Sequence, residues 1–510
     1  MLAGILNMTK TTPFGKALAL TVMSSFLASC GASLGPVGRI PDAPNVSLPG
    51  FSAPSLASFG IGRRQDEVTG VIAAPDTEWG YAIATSDDAL GLVVADEPRA
   101  ALMARRILAD GGSAADAATA LYFTLAATNP AAASLGAGGV CLVHDARTGV
   151  AQSIDFLPRA PSGGGTIAIP GAVSGFAYIH AEYGRMSWQG VVTPAAAIAA
   201  EHPMSATLAG RVNRTGSQAL SSARLRRVFA NRNGVALAEG DAVLQSNLAG
   251  TIGMIASRGP QDMYTGELAY RFIEEAGESG GELNTIDMQS YRPNVLSAQV
   301  IEFPNEIAFV PAGATGAGFF FPELANKSLR NLPGNNLPGV PAASAIRSDA
   351  LTVLGESGIS GQLPSDYGST SFAITDSTGL TVVCGLTMNG AFGSGLVGRS
   401  TGLIYARSPS DVEYGISGAF LTPIITTNQQ GTRLHVAAAG AGGPGASASL
   451  LYTALNARRA GLQRALWDNG SGVTGTVNAI SCGREEGDES RTCRIGVDPR
   501  GSGLGAEALN

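Results

Sequence analysis

Apolar and polar positions alternate between strand-like and helix-like patterns in both halves of the 510-residue chain. Gly91–Ala95 is an apolar run of strand length, and Pro98 begins an amphipathic segment that continues to Ala109. Gly111 and Gly112 then predict the end of that helix, because glycine is common just beyond helix C-termini. Strands that alternate with helices predict an α/β fold, although periodicity alone does not give its topology.

A second helix is predicted directly after the first. Ser113 and Asp116 have the spacing of a capping box, and the alanine-rich run that follows has side chains small enough for close packing on a sheet. Asn129 and Pro130 predict the end of this helix. The apolar residues 140–143 then predict another strand.

Residues 367–397 are the best indication of chemistry, because a Gly-Ser step there precedes two strand-like runs and a glycine-rich turn. Strand patterning leaves Ser369 and Thr370 at the beginning of the first run. A serine that becomes a chain N-terminus can act as a nucleophile, since its α-amino group, with a pKa of roughly 7.7 to 8.0, is a suitable general base. Taken alone, Gly368-Ser369 is typical of an ordinary turn.

A second glycine cluster, residues 440–445, follows the strand-like residues 434–439 and precedes the helical residues 446–459. Its spacing matches the G-x-G-x-x-G pattern of dinucleotide-binding proteins. Little chain remains to build the next strand, and the nearest acidic residue, Asp468, lies in a loop pattern. We therefore expect no dinucleotide site here.

Together these segments resemble the γ-glutamyltransferase family, whose members are self-cleaving N-terminal-nucleophile enzymes. The resemblance is continuous from Ser369 to Val397 and covers roughly residues 85–465. Further landmarks are residues 135–139, 169–176 and 263–291 and, more weakly, 497–500. The resemblance implies a four-layer αββα sandwich, cut between Gly368 and Ser369 into a large-subunit segment, residues 81–368, and a small-subunit segment, residues 369–510.

The resemblance also implies roles for individual residues. Ser369 takes the place of the family's catalytic threonine, and Gly442 with Gly443 corresponds to the backbone donors for the tetrahedral oxyanion. Thr387 and Asn389 correspond to residues that hydrogen-bond the nucleophile and the substrate, and period-two spacing predicts that both lie on one strand face. The alternative is an uncut, catalytically silent strand followed by a turn.

The substrate-binding positions depart from the family pattern. Leu157 stands where the family has the arginine that binds the α-carboxylate, and Arg159 is a candidate substitute. Asp411 corresponds to the acid that binds the substrate amine, and a surface-loop aspartate is the alternative. The family has two adjacent serines and a glutamine at three further pocket positions. In this sequence Ala419 and Phe420 take the place of the serines, and Ser408 takes the place of the glutamine. A pocket of this kind suits a bulkier or less charged acyl group than γ-glutamate.

Charge and histidine content exclude several other functions. The net charge of −7 and the pI of 5.3 argue against a nucleic-acid partner, and the arginines of residues 224–227 fit a solvated helix face. We expect neither a metal nor a cofactor, because the scattered histidines have no cysteine or carboxylate at ligand spacing. These histidines are His144, His180, His202 and His435.

The N-terminal residues predict export. Lys10 and Lys16 precede the apolar residues 17–28, which are too short to span a bilayer and indicate a signal peptide, residues 1–29. Cys30 closes a sequence that resembles a bacterial lipoprotein cleavage box, and residues 30–80 have the composition of a tether. We therefore expect lipid on Cys30 to anchor the protein on the periplasmic side of the bacterial cell envelope. An ordinary signal peptide with an incidental cysteine is the alternative.

Export would place the other cysteines in an oxidising compartment. Cys482 and Cys493 flank a polar stretch of hairpin character, and a disulfide between them is plausible. Cys141 and Cys384 lie in apolar strand-like runs, and the sequence favours buried free thiols at both positions.

The resulting hypothesis is a γ-glutamyltransferase-like amidohydrolase or acyltransferase. Its partners would be a small-molecule amide or a γ-glutamyl peptide such as glutathione, with the two subunits of the cleaved chain bound to each other. One alternative is an acylase of a non-glutamyl amide in the same fold. The other is a catalytically inactive lipoprotein whose chain stays uncut.

Overall fold

The computed structural model describes residues 71–73, 82–85 and 88–509, with gaps at 217–219, 221, 279, 304, 315, 331–340, 358–362, 412, 414, 469–474 and 484–491. The predicted signal peptide, Cys30 and most of the predicted tether lie outside the described residues. Among the residues described, no helix combines the length and the apolar character needed to span a bilayer.

Strands and helices alternate along the described chain. The strands, in chain order, are β1 (Val71–Ala73), β2 (Ala82–Ala84), β3 (Gly91–Ala95), β4 (Gly138–Asp145), β5 (Val150–Asp155), β6 (Glu201–Pro203), β7 (Ala242–Leu244), β8 (Asn294–Ser297), β9 (Gln299–Phe303), β10 (Glu306–Val310), β11 (Ser369–Asp376), β12 (Leu380–Thr387), β13 (Thr422–Thr427), β14 (Leu434–Ala441), β15 (Thr476–Cys482), β16 (Cys493–Gly496) and β17 (Leu504–Ala508).

The helices are α1 (Pro98–Ala109), α2 (Ala114–Thr128), α3 (Pro130–Ala133), α4 (Ala172–Tyr183), α5 (Trp188–Ala200), α6 (Ala206–Thr215), α7 (Ala223–Phe229), α8 (Ser246–Arg258), α9 (Asp262–Thr265), α10 (Glu267–Gly277), α11 (Thr285–Ser290), α12 (Phe320–Arg330), α13 (Ala343–Glu356), α14 (Pro444–Asn456) and α15 (Leu462–Trp467). A 3-10 helix covers Gly415–Phe420.

Two antiparallel sheets form the centre of the fold. The first has the order β1-β17-β3-β11-β12-β4-β5-β8, and the second has the order β2-β16-β15-β14-β13-β10-β9. Their facing surfaces bury one apolar cluster, to which Ala373 and Val383 contribute from the first sheet and Ile425 and Ala437 from the second. Helices cover both outer faces. The predicted four-layer αββα sandwich is confirmed.

Local sequence signals set the helix boundaries beside the first sheet. Glu97 caps α1 by accepting a hydrogen bond from the Ala100 amide at 2.7 Å, and Pro98 occupies the first turn. Ser113 and Asp116 form the capping box that their spacing predicts at the start of α2. Every residue of α2 is buried, so its small side chains allow the close helix-on-sheet packing expected from the sequence.

Two expectations from the sequence are wrong at this level. Val71–Ala73, assigned to the tether, form β1 and pair with β17 at the edge of the first sheet. Cys141 and Cys384, expected as free thiols, form a disulfide because they are directly opposite each other in β4 and β12. Their separation of 243 residues hides this register from sequence patterns. Cys482 and Cys493 are also joined by a disulfide, between β15 and β16.

The buried carboxylate of Asp96 connects the two sheets directly after β3. Its Oδ2 accepts hydrogen bonds from Thr370 Oγ1 at 3.0 Å and from the Ser371 amide at 2.8 Å, both in β11. Its Oδ1 accepts from Thr476 Oγ1 and Asn478 Nδ2 in β15, both at 2.8 Å. Four donors from two different sheets therefore converge on one side chain, at the end of the sandwich where β11 begins.

Asp96→Ala should destabilise the fold strongly, because it leaves these donors in the interior without an acceptor. We expect the free energy of unfolding, measured by urea denaturation with the disulfides intact, to fall by about 3 to 5 kcal/mol. Asp110→Ala is the matched control, since the Asp110 side chain is 56% exposed and pairs only with a surface arginine; it should cost less than about 1 kcal/mol. Equal losses in the two variants would contradict the bridging role.

Candidate active site

Ser369 is the first residue of β11 and lies between the two sheets. It is 3% exposed, and its register partner in β12 is Thr387. Side chains alternate along a strand, so Ser369 shares the inner face with Ser371 and Ala373. Ser371 Oγ confirms this direction by donating to the carbonyl of Ala439 in the second sheet at 3.2 Å. The nucleophile predicted from the sequence therefore faces the interior of the sandwich.

The peptide bond before Ser369 is held in an unusual conformation. Gly368 has φ +55°, and a Cβ at this position would lie 2.0 Å from the carbonyl oxygen of Gly390. The Gly368 amide donates to Asp366 Oδ1 at 2.8 Å, and the Gly368 carbonyl accepts from the Met388 amide at 2.9 Å. Only glycine fits this position, for both conformational and steric reasons.

Thr387 and Asn389 both lie beside this peptide, but they are not on one strand face as expected. Thr387 ends β12 and donates from Oγ1 to the carbonyl of Tyr367 at 3.0 Å. Asn389 lies beyond the strand with φ +52°, donates its amide to Thr387 Oγ1 at 2.9 Å, and donates from Nδ2 to the Arg407 carbonyl. The strand ends too early for period-two spacing to apply, because the chain turns at Asn389.

The Gly442-Gly443 pair lies between the end of β14 and the start of α14, with φ +118° and +89°. A Cβ on Gly443 would lie 2.2 Å from the Tyr367 ring, so Tyr367 packs directly on this glycine. Burial raises the pKa of Tyr367 to about 12, and the ring is neutral near pH 7. Tyr367 contacts Gly443 and Ser371 contacts Ala439, so the residues two positions before and two positions after Ser369 both contact β14 or the turn that follows it.

The dinucleotide interpretation of this glycine cluster also fails structurally. β14 pairs with β13 and β15 in antiparallel register, whereas a dinucleotide-binding unit requires parallel neighbours joined through the helix. What the turn supplies instead is backbone amides at the N-terminal end of a 13-residue helix, where the helix dipole favours negative charge.

Two of the predicted substrate-binding side chains, those of Arg159 and Asp411, have partners within the protein. Arg159 Nη2 donates to the Arg292 carbonyl at 2.9 Å, and its guanidinium lies 4.5 Å from the centroid of the Tyr291 ring. Asp411 Oδ2 forms an ion pair with Arg407 at 3.2 Å. The structure therefore places Ser369 opposite Thr387 and Tyr367 on Gly443, and it gives Arg159 and Asp411 protein partners of their own.

Arg211 is a neighbour of the nucleophile that the sequence did not indicate. It projects from α6, donates from Nη2 to the Ser369 carbonyl at 2.8 Å, and places Nη1 3.8 Å from Asp366 Oδ1. Arg211 thus contacts residues on both sides of the Gly368-Ser369 bond. Its place in an amphipathic helix gave no signal of this role, and only the folded chain brings α6 to β11.

No metal site is evident in the part of the chain that the structure describes, where no group of three histidine, cysteine or carboxylate side chains gathers. The histidines contact main-chain carbonyls or single carboxylates. These partners are Gly431 for His144, Met186 and Asp116 for His180, Ile198 for His202, and Glu306 for His435.

Comparison with known proteins finds similarity in the part of the chain that precedes the candidate nucleophile. A family model described as Gamma-glutamyltranspeptidase matches residues 100–317. The glutathione hydrolase proenzyme of Escherichia coli (strain K12) is 30% identical over 227 residues, which are 40% of this chain and 38% of that protein. Scoloptoxin SSD14 of Scolopendra dehaani is 29% identical over 41% of this chain and 39% of the toxin. The resemblance to the γ-glutamyltransferase family is confirmed.

Structural comparison extends the similarity of the fold to most of the chain. A cephalosporin acylase from Bacillus halodurans superposes with a TM-score of 0.66 at 17% identity, over 84% of this chain and 96% of that enzyme. The chain spans about two fifths of the length of the curated relatives it matches. The family match also ends at residue 317, so the assignment of Ser369 depends on the resemblance of residues 369–397 and on the geometry described above.

Gly368→Ala should lower the free energy of unfolding by more than the strain of a left-handed backbone conformation alone accounts for. Gly240 is the matched control, because it has φ +88° but nothing within 4 Å of an added Cβ. We expect Gly240→Ala to lower the free energy of unfolding by about 1 to 2 kcal/mol from left-handed strain. Gly368→Ala should lose at least about 3 kcal/mol, because the methyl group also overlaps the Gly390 carbonyl. Both changes are made in the uncut Ser369→Ala chain and measured by denaturant unfolding, and similar losses in the two variants would show that the close packing of this turn is not essential.

Proposed function

We propose that the chain is an amidohydrolase or acyltransferase of the γ-glutamyltransferase type, with Ser369 as its nucleophile after self-cleavage of the Gly368-Ser369 bond. The observation that carries this proposal is the arrangement of that bond. It lies at the start of a buried strand, beside Thr387, with its carbonyl bound by the Met388 amide and with the Gly442-Gly443 turn adjacent. The printed names of the curated relatives, glutathione hydrolases, support an amide substrate.

Self-cleavage begins when Ser369 Oγ attacks the carbonyl carbon of Gly368. The C–N bond breaks, an ester forms between residues 368 and 369, and the nitrogen becomes the α-amine of Ser369. Water then hydrolyses the ester and leaves a carboxylate on Gly368. The Met388 amide, 2.9 Å from the Gly368 oxygen, is placed to stabilise the negative charge that develops there.

The same hydroxyl then acts on other molecules. The freed α-amine of Ser369 accepts the proton from Oγ as the oxygen attacks a substrate amide carbonyl, and the amine product leaves after taking up that proton. Gly442 and Gly443 supply amides to the oxyanion, and water or a second amine removes the acyl group from Ser369. In the continuous chain the Tyr367 ring covers Gly443, and the Tyr367 main-chain carbonyl accepts a hydrogen bond from Thr387 Oγ1. Cleavage between Gly368 and Ser369 makes Tyr367 the second-last residue of the large segment, so that it can move away from both groups.

Because of the Cys141–Cys384 disulfide, cleavage can be detected by comparing denaturing gels run with and without reductant. Cys141 lies in the large segment and Cys384 in the small one, so a cut chain stays covalently joined until it is reduced. We expect wild-type protein to run as one species on a non-reducing denaturing gel and as two species after reduction. Ser369→Ala should run as one species in both, because it has no attacking hydroxyl.

The double variant Cys141→Ser with Cys384→Ser is the control for that experiment. It should separate into two species without reductant, because no disulfide then joins the two segments. A wild-type chain that stays full-length after reduction, with the same mass as Ser369→Ala, would contradict the proposal. It would favour the alternative of a catalytically inactive protein in this fold.

An acylase of a non-glutamyl amide is the second candidate in the same fold. Two contacts favour it: the Arg159 guanidinium is stacked on the Tyr291 ring, and Asp411 forms an ion pair with Arg407. These contacts leave the carboxylate and the amine of a free γ-glutamyl group without the partners expected from the sequence.

The proposal also includes export and lipid attachment at Cys30, supported by the signal-like residues 1–29 and by two disulfides, which persist mainly in oxidising compartments. Cys30→Ala should move the protein from the membrane fraction to the soluble fraction after cell disruption, because it removes the site of lipid attachment. Equal membrane association of wild type and variant would count against the anchor.

A further inference from the structure

The inner face of the first sheet continues from the nucleophile into an apolar wall. Thr387 is opposite Gly138 in β4, and Gly385 is opposite Val140. Because side chains alternate, Gly385 and Val140 face the same interior as Ser369, one repeat of about 7 Å along the strands. A Cβ on Gly385 would lie 3.2 Å from Leu421 Cβ, so Leu421, which directly precedes β13 of the second sheet, covers this glycine.

Four side chains make this wall: Val140, Leu157, Ala317 and Leu421. Val140, Ala317 and Leu421 are buried, whereas Leu157 is only partly buried. The Leu157 methyl groups lie between two glycines, 3.1 Å from a Cβ built on Gly316 and 3.0 Å from one built on Gly418. Leu157 is thus the member of the wall that a bound molecule can reach.

The charges near this wall do not suit an anionic acyl group. Asp155 is buried on the inner face opposite Val140, and its Oδ1 accepts the Leu157 amide at 2.9 Å. Burial raises the pKa of Asp155, against the opposing effects of the Leu157 amide and Arg159. The Arg159 guanidinium itself is stacked on Tyr291. A carboxylate placed at this wall would be desolvated next to leucine side chains and close to another carboxyl group.

From this placement we propose that the site accepts an uncharged, apolar acyl group, aliphatic or aryl, which packs on Leu157 while Ser369 attacks its amide carbonyl. This inference rests on the proposed function, since it concerns the substrate of the same nucleophile. The wall contacts the acyl group alone in this proposal, so it does not select between different leaving amines. Each methylene group that the site buries strengthens binding of the transition state. The rate constant kcat/KM should therefore rise by about fourfold for each methylene added to the acyl group, for as long as the added groups are buried.

The test uses mature protein and a series of p-nitroanilides that differ only in the acyl group: acetyl, butyryl, hexanoyl, phenylacetyl and γ-glutamyl. We expect kcat/KM for the hexanoyl or phenylacetyl compound to exceed that for γ-glutamyl by at least about tenfold. Leu157→Arg should lower the hexanoyl to γ-glutamyl ratio by at least about tenfold, because it replaces an apolar contact with a cation. The ratio is independent of the fraction of active enzyme.

Leu296→Arg is the matched control for Leu157→Arg. Leu296 lies in the edge strand β8 of the same sheet and is 38% exposed, so the same change there should leave the ratio within about twofold of wild type. If Leu157→Arg does not fold, the wild-type series and Leu157→Ala decide, because Leu157→Ala should lower the ratio of hexanoyl to acetyl kcat/KM by removing the apolar contact that only the longer acyl group makes.

The outcomes separate the two proposals. Protein that carries a free Ser369 end but prefers the γ-glutamyl anilide, or shows no dependence on acyl length, overturns the apolar acyl site alone. Protein that stays uncut and cleaves no anilide overturns the proposed function and this inference with it. A preference for longer uncharged acyl groups that Leu157→Arg removes and Leu296→Arg retains supports both.

Discussion

The Asp96 carboxylate fixes the beginning of β11 relative to the second sheet. Two of its four hydrogen bonds go to Thr370 and Ser371, directly after the candidate nucleophile, and two go to Thr476 and Asn478 in β15. β15 is paired with β14, which leads into the Gly442-Gly443 turn. The position of Ser369 relative to the Gly442-Gly443 turn is therefore set through one buried side chain, and hydrogen bonds to a carboxylate make that link strong.

The continuous chain occupies part of its own site. Tyr367 packs on Gly443 and accepts the Thr387 hydroxyl, while Arg211 binds the Ser369 carbonyl and approaches Asp366. These contacts hold the Gly368-Ser369 peptide in place without any ligand. In the proposed function the precursor therefore serves as its own first substrate, and the groups that stabilise its cleavage are partly different from those used for later substrates.

Much of this arrangement was accessible from the sequence because it depends on local signals. The capping box at Ser113, the strand that begins at Ser369 and the glycine turn at Gly442 all follow from short-range patterns, and the structure has each of them. The family resemblance supplied what periodicity could not, namely the four-layer arrangement and the role of each glycine.

The features that sequence patterns did not predict depend on contacts between segments that are distant along the chain. Cys141 and Cys384 are 243 residues apart, and only strand register places them opposite each other. Asp96, directly after β3, binds the two residues that follow Ser369, and Arg211 in α6 binds the Ser369 carbonyl, with no motif to mark either. Asn389 was misplaced because the end of a strand is a tertiary property. The partners of Arg159 and Asp411 were likewise invisible, since each is decided by which loop lies nearby in the folded chain.

The central claim is that Ser369 becomes a free N-terminus, and labelling of α-amines tests it most directly. Reductive dimethylation of the intact protein, followed by reduction, trypsin and mass spectrometry, should give a dimethylated peptide that begins at Ser369 and ends at Arg399, together with an unlabelled peptide from Ser348 to Gly368. A single unlabelled peptide from Ser348 to Arg399, with no peptide beginning at Ser369, would contradict the account.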